Sequence, residues 1–281
     1  MTTSIATSID TPSPNLSPAS VTATSHPSPG RRELRALPDA LRSERIKLST
    51  VRTTKVLLVL TIVVDFIAAY ATARLVTDQV LTVSKVFVYP AVFTAVFAAI
   101  SGILMFTSEA QHGTLDVTLA AQPARWVIAA AKALVAIAVG VTLGAVGMAA
   151  AAGGAALGGL ALGSASAMAA TAGWALLYTS AAATIGLGVG MIARHSAGAI
   201  SGLLVWWFVA ENLLRTFTPP SIGHFLPFDA GYRTLGVGSK FDTPETLAAA
   251  LRGPQYALIF VSYAILILAV GTVVLNRRDA K

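Results

Sequence analysis

Cysteine is absent from this sequence, which excludes disulfides and Cys-ligated metal centres and accords with a bacterial inner membrane. Charge is scarce: Asp, Glu, Lys and Arg together make up 12% of the 281 residues. Ordinary soluble domains carry about twice that share, so a normal water-facing surface cannot be built from this chain. Histidine is scarce too, with only His26, His112, His195 and His224. None has a partner at helical metal-ligand spacing and no H-E-x-x-H occurs, so no metal site is expected. Ser201 lies within an apolar block but no histidine shares its depth, which argues against an intramembrane serine protease. No catalytic residue is assigned, and the chain is not expected to be an enzyme. No G-x-x-x-x-G-K-[ST] occurs either, so nucleotide hydrolysis through a P-loop is excluded. The "GLGVG" at Gly186, Gly188 and Gly190 lacks the G-x-G-x-x-G spacing and the preceding strand, and reads as helix packing.

What is present is apolar. Hydrophobic residues make up 55% of the chain, and they fall in blocks of about 20, the length that crosses a hydrocarbon layer as a helix. The fold class expected is an all-α membrane protein with six transmembrane helices. The blocks are Val56 to Val76, Val86 to Phe106, Trp126 to Ala152, Ala165 to Ala193, Ala197 to Leu214 and Tyr256 to Leu275. They form a transmembrane domain over 56–275. Before it, residues 1–30 are rich in Ser, Thr, Pro and Ala without periodicity, the composition of a disordered tail. No apolar h-region marks a signal peptide there. Residues 31–55 read as a basic interfacial helix, with Pro38 in its first turn and Asp39 at its positive end. Leu37, Leu41 and Leu48 fall near one face of it, and Arg42, Arg45, Lys47 and Arg52 are placed to meet lipid headgroups. Residues 276–281 form a basic tail.

Six spans put both termini on one side of the membrane. Of the 20 Lys and Arg residues, 14 lie in the terminal segments, at Arg125 and Lys132, and at Arg194. That asymmetry places the termini, the 107–125 loop and the "ARHSAG" turn in the cytoplasm. It also accounts for the net charge of +7 without invoking nucleic acid. Between spans five and six, "FTPPSIGHFLPFDAGYRTL" carries more bulky apolar residues than a solvated loop needs, and reads as a re-entrant or interfacial outer element.

Three ionisable residues fall at membrane depth. Asp65 lies near the middle of span one, where an ionised carboxylate costs about 2.5–3.5 kcal/mol on insertion scales; a structural hydrogen bond and a place on a transport route both fit it. Lys132 lies one to two turns into span three, within snorkelling reach of the headgroups. Glu211 stands four residues before Arg215, the spacing of a same-face pair. Small-xxx-small pairs at Gly140 and Gly144, Gly186 and Gly190, and Gly198 and Gly202 indicate tight helix packing.

The polar loop "SEAQHGTLDVTLAAQPAR" separates spans two and three. Gly113 permits a tight reversal, Pro123 opens the next helix, and "TLDVTLAA" between them suits a short helix along the membrane face. On spacing alone it is a polar connector.

"LRSERIKLSTVRT" before a span, "SEAQHGTLDVTLAAQPARWVIAAAKAL" after the second, and the late "NRRD" together resemble the membrane subunits of ABC type-2 transporters, particularly actinobacterial exporter permeases. The family pattern of Glu, Gly-Thr, Pro-x-Arg and a Lys opening span three falls on Glu109, Gly113, Thr114, Pro123, Arg125 and Lys132. The aromatic and basic residues that usually precede Gly-Thr are replaced by Ala110, Gln111 and His112. "HFLPFDAGYRTL" also resembles the family's outer segment, and the likeness runs from about Leu41 onward. It implies a permease subunit that pairs with a second copy or paralogue and binds a separate P-loop ATPase. That partner, not this chain, would hold ATP and Mg. By the resemblance, Glu109, His112, Gly113, Thr114, Pro123 and Arg125 form the ATPase-coupling loop, and Glu44, Lys47 and Arg52 belong to the coupling-side interfacial helix. The competing expectation is an ATP-independent membrane protein, either an ion-coupled carrier or a non-transporting scaffold.

Overall fold

The computed structural model describes residues 29–50, 52–76, 82–86, 88–121, 124–161, 163–236, 242, 244–248 and 250–278. The Ser/Thr/Pro-rich tail expected over 1–30 lies outside these residues except for its last two. In order, the helices are α1 (Pro29–Thr50), α2 (Arg52–Leu75), α3 (Val83–Val86), α4 (Ala91–Gln111), α5 (Thr114–Ala121), α6 (Arg125–Leu157) and α7 (Ala165–Ala193). They continue as α8 (Ser196–Val205), a π-helical segment (Trp206–Ala210), α9 (Glu211–Phe217), α10 (Pro220–Gly223), α11 (Pro227–Thr234), α12 (Pro244–Ala248) and α13 (Gly253–Arg278). Among the described residues, six helical stretches are long and apolar enough to span a membrane: α2, α4, α6, α7, the α8-to-α9 run, and α13. The protein is an all-α membrane protein of six spans. Helices are the open solution here because lipid offers the backbone no hydrogen bonds.

Several boundaries differ from the sequence expectation, each for a local reason. Span two begins at Ala91 rather than Val86, because Val88–Pro90 forms a turn and Pro90, at φ −72°, opens the helix. Span three runs from Arg125 to Leu157, 33 residues, which at about 1.5 Å per residue exceeds the hydrocarbon thickness and extends beyond it. It stops where Gly159 takes φ +92°. Pro38 does not open the interfacial helix; α1 begins at Pro29 and carries Pro38 inside it. Arg52 is not part of that helix, since it is the first residue of α2. The final basic stretch continues α13 as far as Arg278.

The centre of the bundle is α4 crossing α7. A Cβ added to Gly102 would sit 2.0 Å from the Ala183 carbonyl oxygen, and one on Gly186 would sit 2.0 Å from that of Ala99. The two backbones therefore touch through reciprocal glycines, the close approach that supplies packing energy where lipid supplies no hydrophobic drive. Gly140 meets Thr179 and Ser180 in the same way, fastening α6 to α7. Of the three small-xxx-small pairs, the one at Gly198 and Gly202 packs on no other helix among the described residues.

α1, the end of α4, the start of α6 and the end of α13 lie at one end of the bundle. Lys132 joins α1 to α4, and Arg125 donates to the Asn276 carbonyl at 2.9 Å. The α7–α8 turn lies there too, through Ser196 donating to the Gln111 side chain at 2.9 Å. In that turn Arg194 takes φ 56°, and His195 Nδ1 accepts the Gly198 amide as a helix cap. At the opposite end α11 folds back against α13 and α7, burying Phe228, Ala230 and Gly231. It lies in the stretch between spans five and six where the sequence led to the expectation of a packed element.

Candidate functional site

α1 presents Leu37 and Leu41 half-buried against the bundle, but the same face also turns Glu44 inward. Glu44 meets Lys132, whose side chain is completely buried, through both carboxylate oxygens at 3.0 Å. Lys132 also donates to Glu109 Oε1 at 2.8 Å. Lys47, one turn along α1, donates to Glu44 Oε1 at 3.0 Å and to Glu109 Oε1 at 2.8 Å. Two carboxylates and two ammoniums thus close a neutral cluster joining α1, span two and span three. Lys132 does not snorkel. The carboxylates on α1 and α4 satisfy it inside the protein, so no headgroup is required. Burial depresses the Lys47 pKa, but its bonds to Glu109 and Glu44 outweigh this and hold it above the ordinary 10.5.

The coupling-loop residues predicted from sequence divide on this geometry. Glu109 lies within the ion cluster, 9% exposed, and its Oε2 has no hydrogen-bond partner among the described residues. His112 is exposed, and its Nδ1 donates back to the Ser108 carbonyl at 2.7 Å, closing the end of α4. Gly113 takes φ +71°, the left-handed conformation that reverses the chain. Thr114 opens α5 and donates to the Glu109 carbonyl at 3.4 Å. α5 is seated through Leu115, which is buried among Phe106, Ala129 and Leu275. Arg125 satisfies carbonyls at the C-terminal end of α13. Pro123 lies outside the described residues. Arg52 is exposed at the head of α2. Beside the cluster a 510 Å³ cavity, walled by Leu57, Leu104 and Met105, reaches Lys47, Glu109 and His112.

Asp65 and Glu211 lie elsewhere. Asp65 is fully buried in mid-span and accepts the hydroxyl of Thr94, while its Oδ1 has no partner among the described residues. Gly147 leaves room for it, since a Cβ there would sit 2.3 Å from Asp65 Oδ2. Glu211 does not pair with Arg215. Its carboxylate accepts the amides of Phe228 at 3.2 Å and Asp229 at 2.5 Å, capping α11. Those unpaired amides at a helix start compete successfully for the carboxylate. Arg215 turns to Asp229 at 2.8 Å instead.

Sequence reasoning did not identify the other members of the network around α11. Asp229 also binds Arg233 Nε at 2.7 Å, and Arg233 forks onto Asp242 at 2.5 and 3.2 Å. His224 joins Tyr256 at 3.0 Å and the Thr246 carbonyl at 3.1 Å. The i, i+4 spacing of Asp229 and Arg233 was the available signal; the remaining partners are distant in sequence. Among the described residues no group of three His, Asp or Glu side chains is placed to hold a metal ion. No protein-family model and no curated protein matches the sequence.

Proposed function

We propose that this chain is the permease subunit of an ATP-driven ABC exporter in a bacterial inner membrane. In this reading it works with a second copy or paralogue and with a separate ATPase that binds ATP and Mg. The end of the bundle holding α1, α5, the α7–α8 turn and the end of α13 faces the cytoplasm, as its excess of Lys and Arg favours. Beyond the motif resemblance, one observation carries the reading. The ion cluster joins α1 to the ends of spans two and three on either side of α5. A force applied to α5 or α1 then cannot be absorbed by one element alone. Lys132 and Glu109 carry it into both spans, whose tilt would shift the cavity between subunits. Such a stroke works only if the ATPase binds the two arrangements with different affinity. The unpacked face of span five, with Gly198, Gly202 and the exposed Val205 and Trp206, suits contact with a second copy.

The experiment is co-purification of the chain with the P-loop ATPase from its native host, followed by transport in vesicles. Gly113→Leu forces a branched residue into φ +71°, at about 1–2 kcal/mol, or about a tenfold loss of ATPase affinity if the reversal presents α5. Glu109→Ala should weaken coupling while insertion survives. Unchanged ATPase binding and transport in both variants would refute the coupling role, and flux without any ATPase would refute the exporter reading. Asp65, buried with one oxygen unpartnered among the described residues, is the observation that favours an ion-coupled carrier instead. Proton- or sodium-driven flux abolished by Asp65→Asn would establish that alternative.

A further inference from the structure

We propose that the outer end of the bundle holds a binding site for a protonated amine carried on an apolar body. The site is a 210 Å³ cavity bounded by spans two, four and five and by α11. Its walls include Tyr178, Trp207, Phe208, Phe228 and Tyr232, with the Glu211 carboxylate among them. The π-helical segment builds one wall: it turns Trp207 inward, 7% exposed, while Trp206 and Phe208 remain 44% and 47% exposed. Trp207 stacks on Phe228 at 3.9 Å, and Phe228 meets Phe260 edge-on at 6.1 Å, so the aromatic wall is braced. π-Helical insertions of this kind are frequent at functional sites.

Three further features select the ligand. First, the charge is unbalanced. Among the charged residues lining the cavity, Arg215 is paired to Asp229 at 2.8 Å. Glu211 makes no ion pair among the described residues and holds only two backbone amides. A carboxylate has about four acceptor positions, so about two remain for a ligand. Second, Tyr178 is completely buried, and its hydroxyl has no hydrogen-bond partner among the described residues. An N–H donor between Glu211 and Tyr178 would satisfy that orphan group. Third, aromatic faces carry negative potential and favour a desolvated cation. An anion would meet the carboxylate and the ring faces unfavourably, and a neutral hydrocarbon would leave Glu211 and Tyr178 unsatisfied. The cavity shares Phe208, Asn212, Arg215 and Asp229 with a second one of 660 Å³, whose wall of Phe208, Val209 and Leu213 gives the apolar body room opposite the paired charges of Arg233 and Asp242.

The site is independent of the exporter reading, because binding is measured on the purified full chain without an ATPase. The probe is N,N-dimethylphenethylamine, titrated calorimetrically in a neutral detergent near neutral pH. Its uncharged counterpart is N,N-dimethyl-2-phenylacetamide, and its quaternary counterpart, which lacks the N–H, is N,N,N-trimethylphenethylammonium. Saturable binding of one amine per chain is expected, with the amide at least about tenfold weaker, the scale of a desolvated cation–π and carboxylate contact. Glu211→Gln should weaken the amine by a similar factor. Tyr178→Phe removes only the hydroxyl, and it should weaken the tertiary amine while leaving the quaternary ion unchanged. Because Glu211 also caps α11, Tyr178→Phe is the test that survives if Glu211→Gln misfolds. Equal affinity for amine and amide, no saturable binding, or Tyr178→Phe binding the tertiary amine as the native chain does would overturn the proposal.

Discussion

Replacing Lys132 with methionine tests whether the four-residue cluster holds α1 to the bundle. Methionine keeps most of the chain length and removes the charge. Lys132 is fully buried and contacts Glu44 at 3.0 Å and Glu109 at 2.8 Å. Its loss leaves two carboxylates sharing Lys47, so the cluster changes from neutral to a net charge of −1. Removing one partner of a buried pair costs about 3–5 kcal/mol. Lys47 still reaches both carboxylates, so the lower figure applies, about 3 kcal/mol. At about 1.4 kcal/mol per decade, that is roughly a hundredfold rise in local opening. Hydrogen exchange of α1 amides around Glu44 in the detergent-solubilised protein reads this directly. The sign of the double mutant is the sharper test. Adding Glu109→Gln restores neutrality, so the two changes should be coupled by about 0.5–3 kcal/mol, and the double variant should be less open than Lys132→Met alone. Lys47→Met should cost far less, about 1 kcal/mol or under, because its side chain is 37% exposed and water screens the pair. Unchanged exchange in Lys132→Met, or simple addition in the double mutant, would refute the reasoning.

Two further outcomes are expected from the helix packing and from Lys47. Gly102→Ala places a Cβ 2.0 Å from the Ala183 carbonyl and should lower thermal stability by about 1–3 kcal/mol. Gly202→Ala, with nothing within 4 Å, should lower it not at all. A comparable drop in both variants would show that the α4–α7 crossing is not set by that contact. The pH response of α1 is set partly by Lys47, whose pKa is raised from 10.5 on folding. A raised ammonium stabilises the fold fully below the unfolded value and stops doing so as pH rises through the folded one. Proteolytic release of α1 should therefore gain no Lys47-dependent component until the pH exceeds about 10.5. A Lys47-dependent release near neutral pH would contradict the two carboxylate contacts.

Much of the architecture can be read from the sequence. Blocks of about 20 apolar residues become helices because lipid leaves the backbone no other partner, and six such helices are present among the described residues. The reversal at Gly113 and the short helix α5 were legible as well, because left-handed turns and helix starts are local events. Residues that act through distant neighbours were not legible. Lys132 and Glu44 are 88 positions apart, and nothing in either segment indicates that the lysine turns inward rather than toward headgroups. Glu211 and Arg215 had the spacing of a pair, but the unpaired amides of α11 took the carboxylate and Asp229 took the guanidinium. Tyr178 looks like an ordinary apolar-span aromatic until the fold brings Glu211 and Trp207 to the same cavity. The sequence by itself determined that the chain lies in a membrane, crosses it six times and gathers its positive charge at one end. These follow from composition and period, which each segment carries alone. Only the tertiary structure decided which buried charges meet and which polar atoms are left without a partner, because a buried charge takes its partner from whichever helix packs against it.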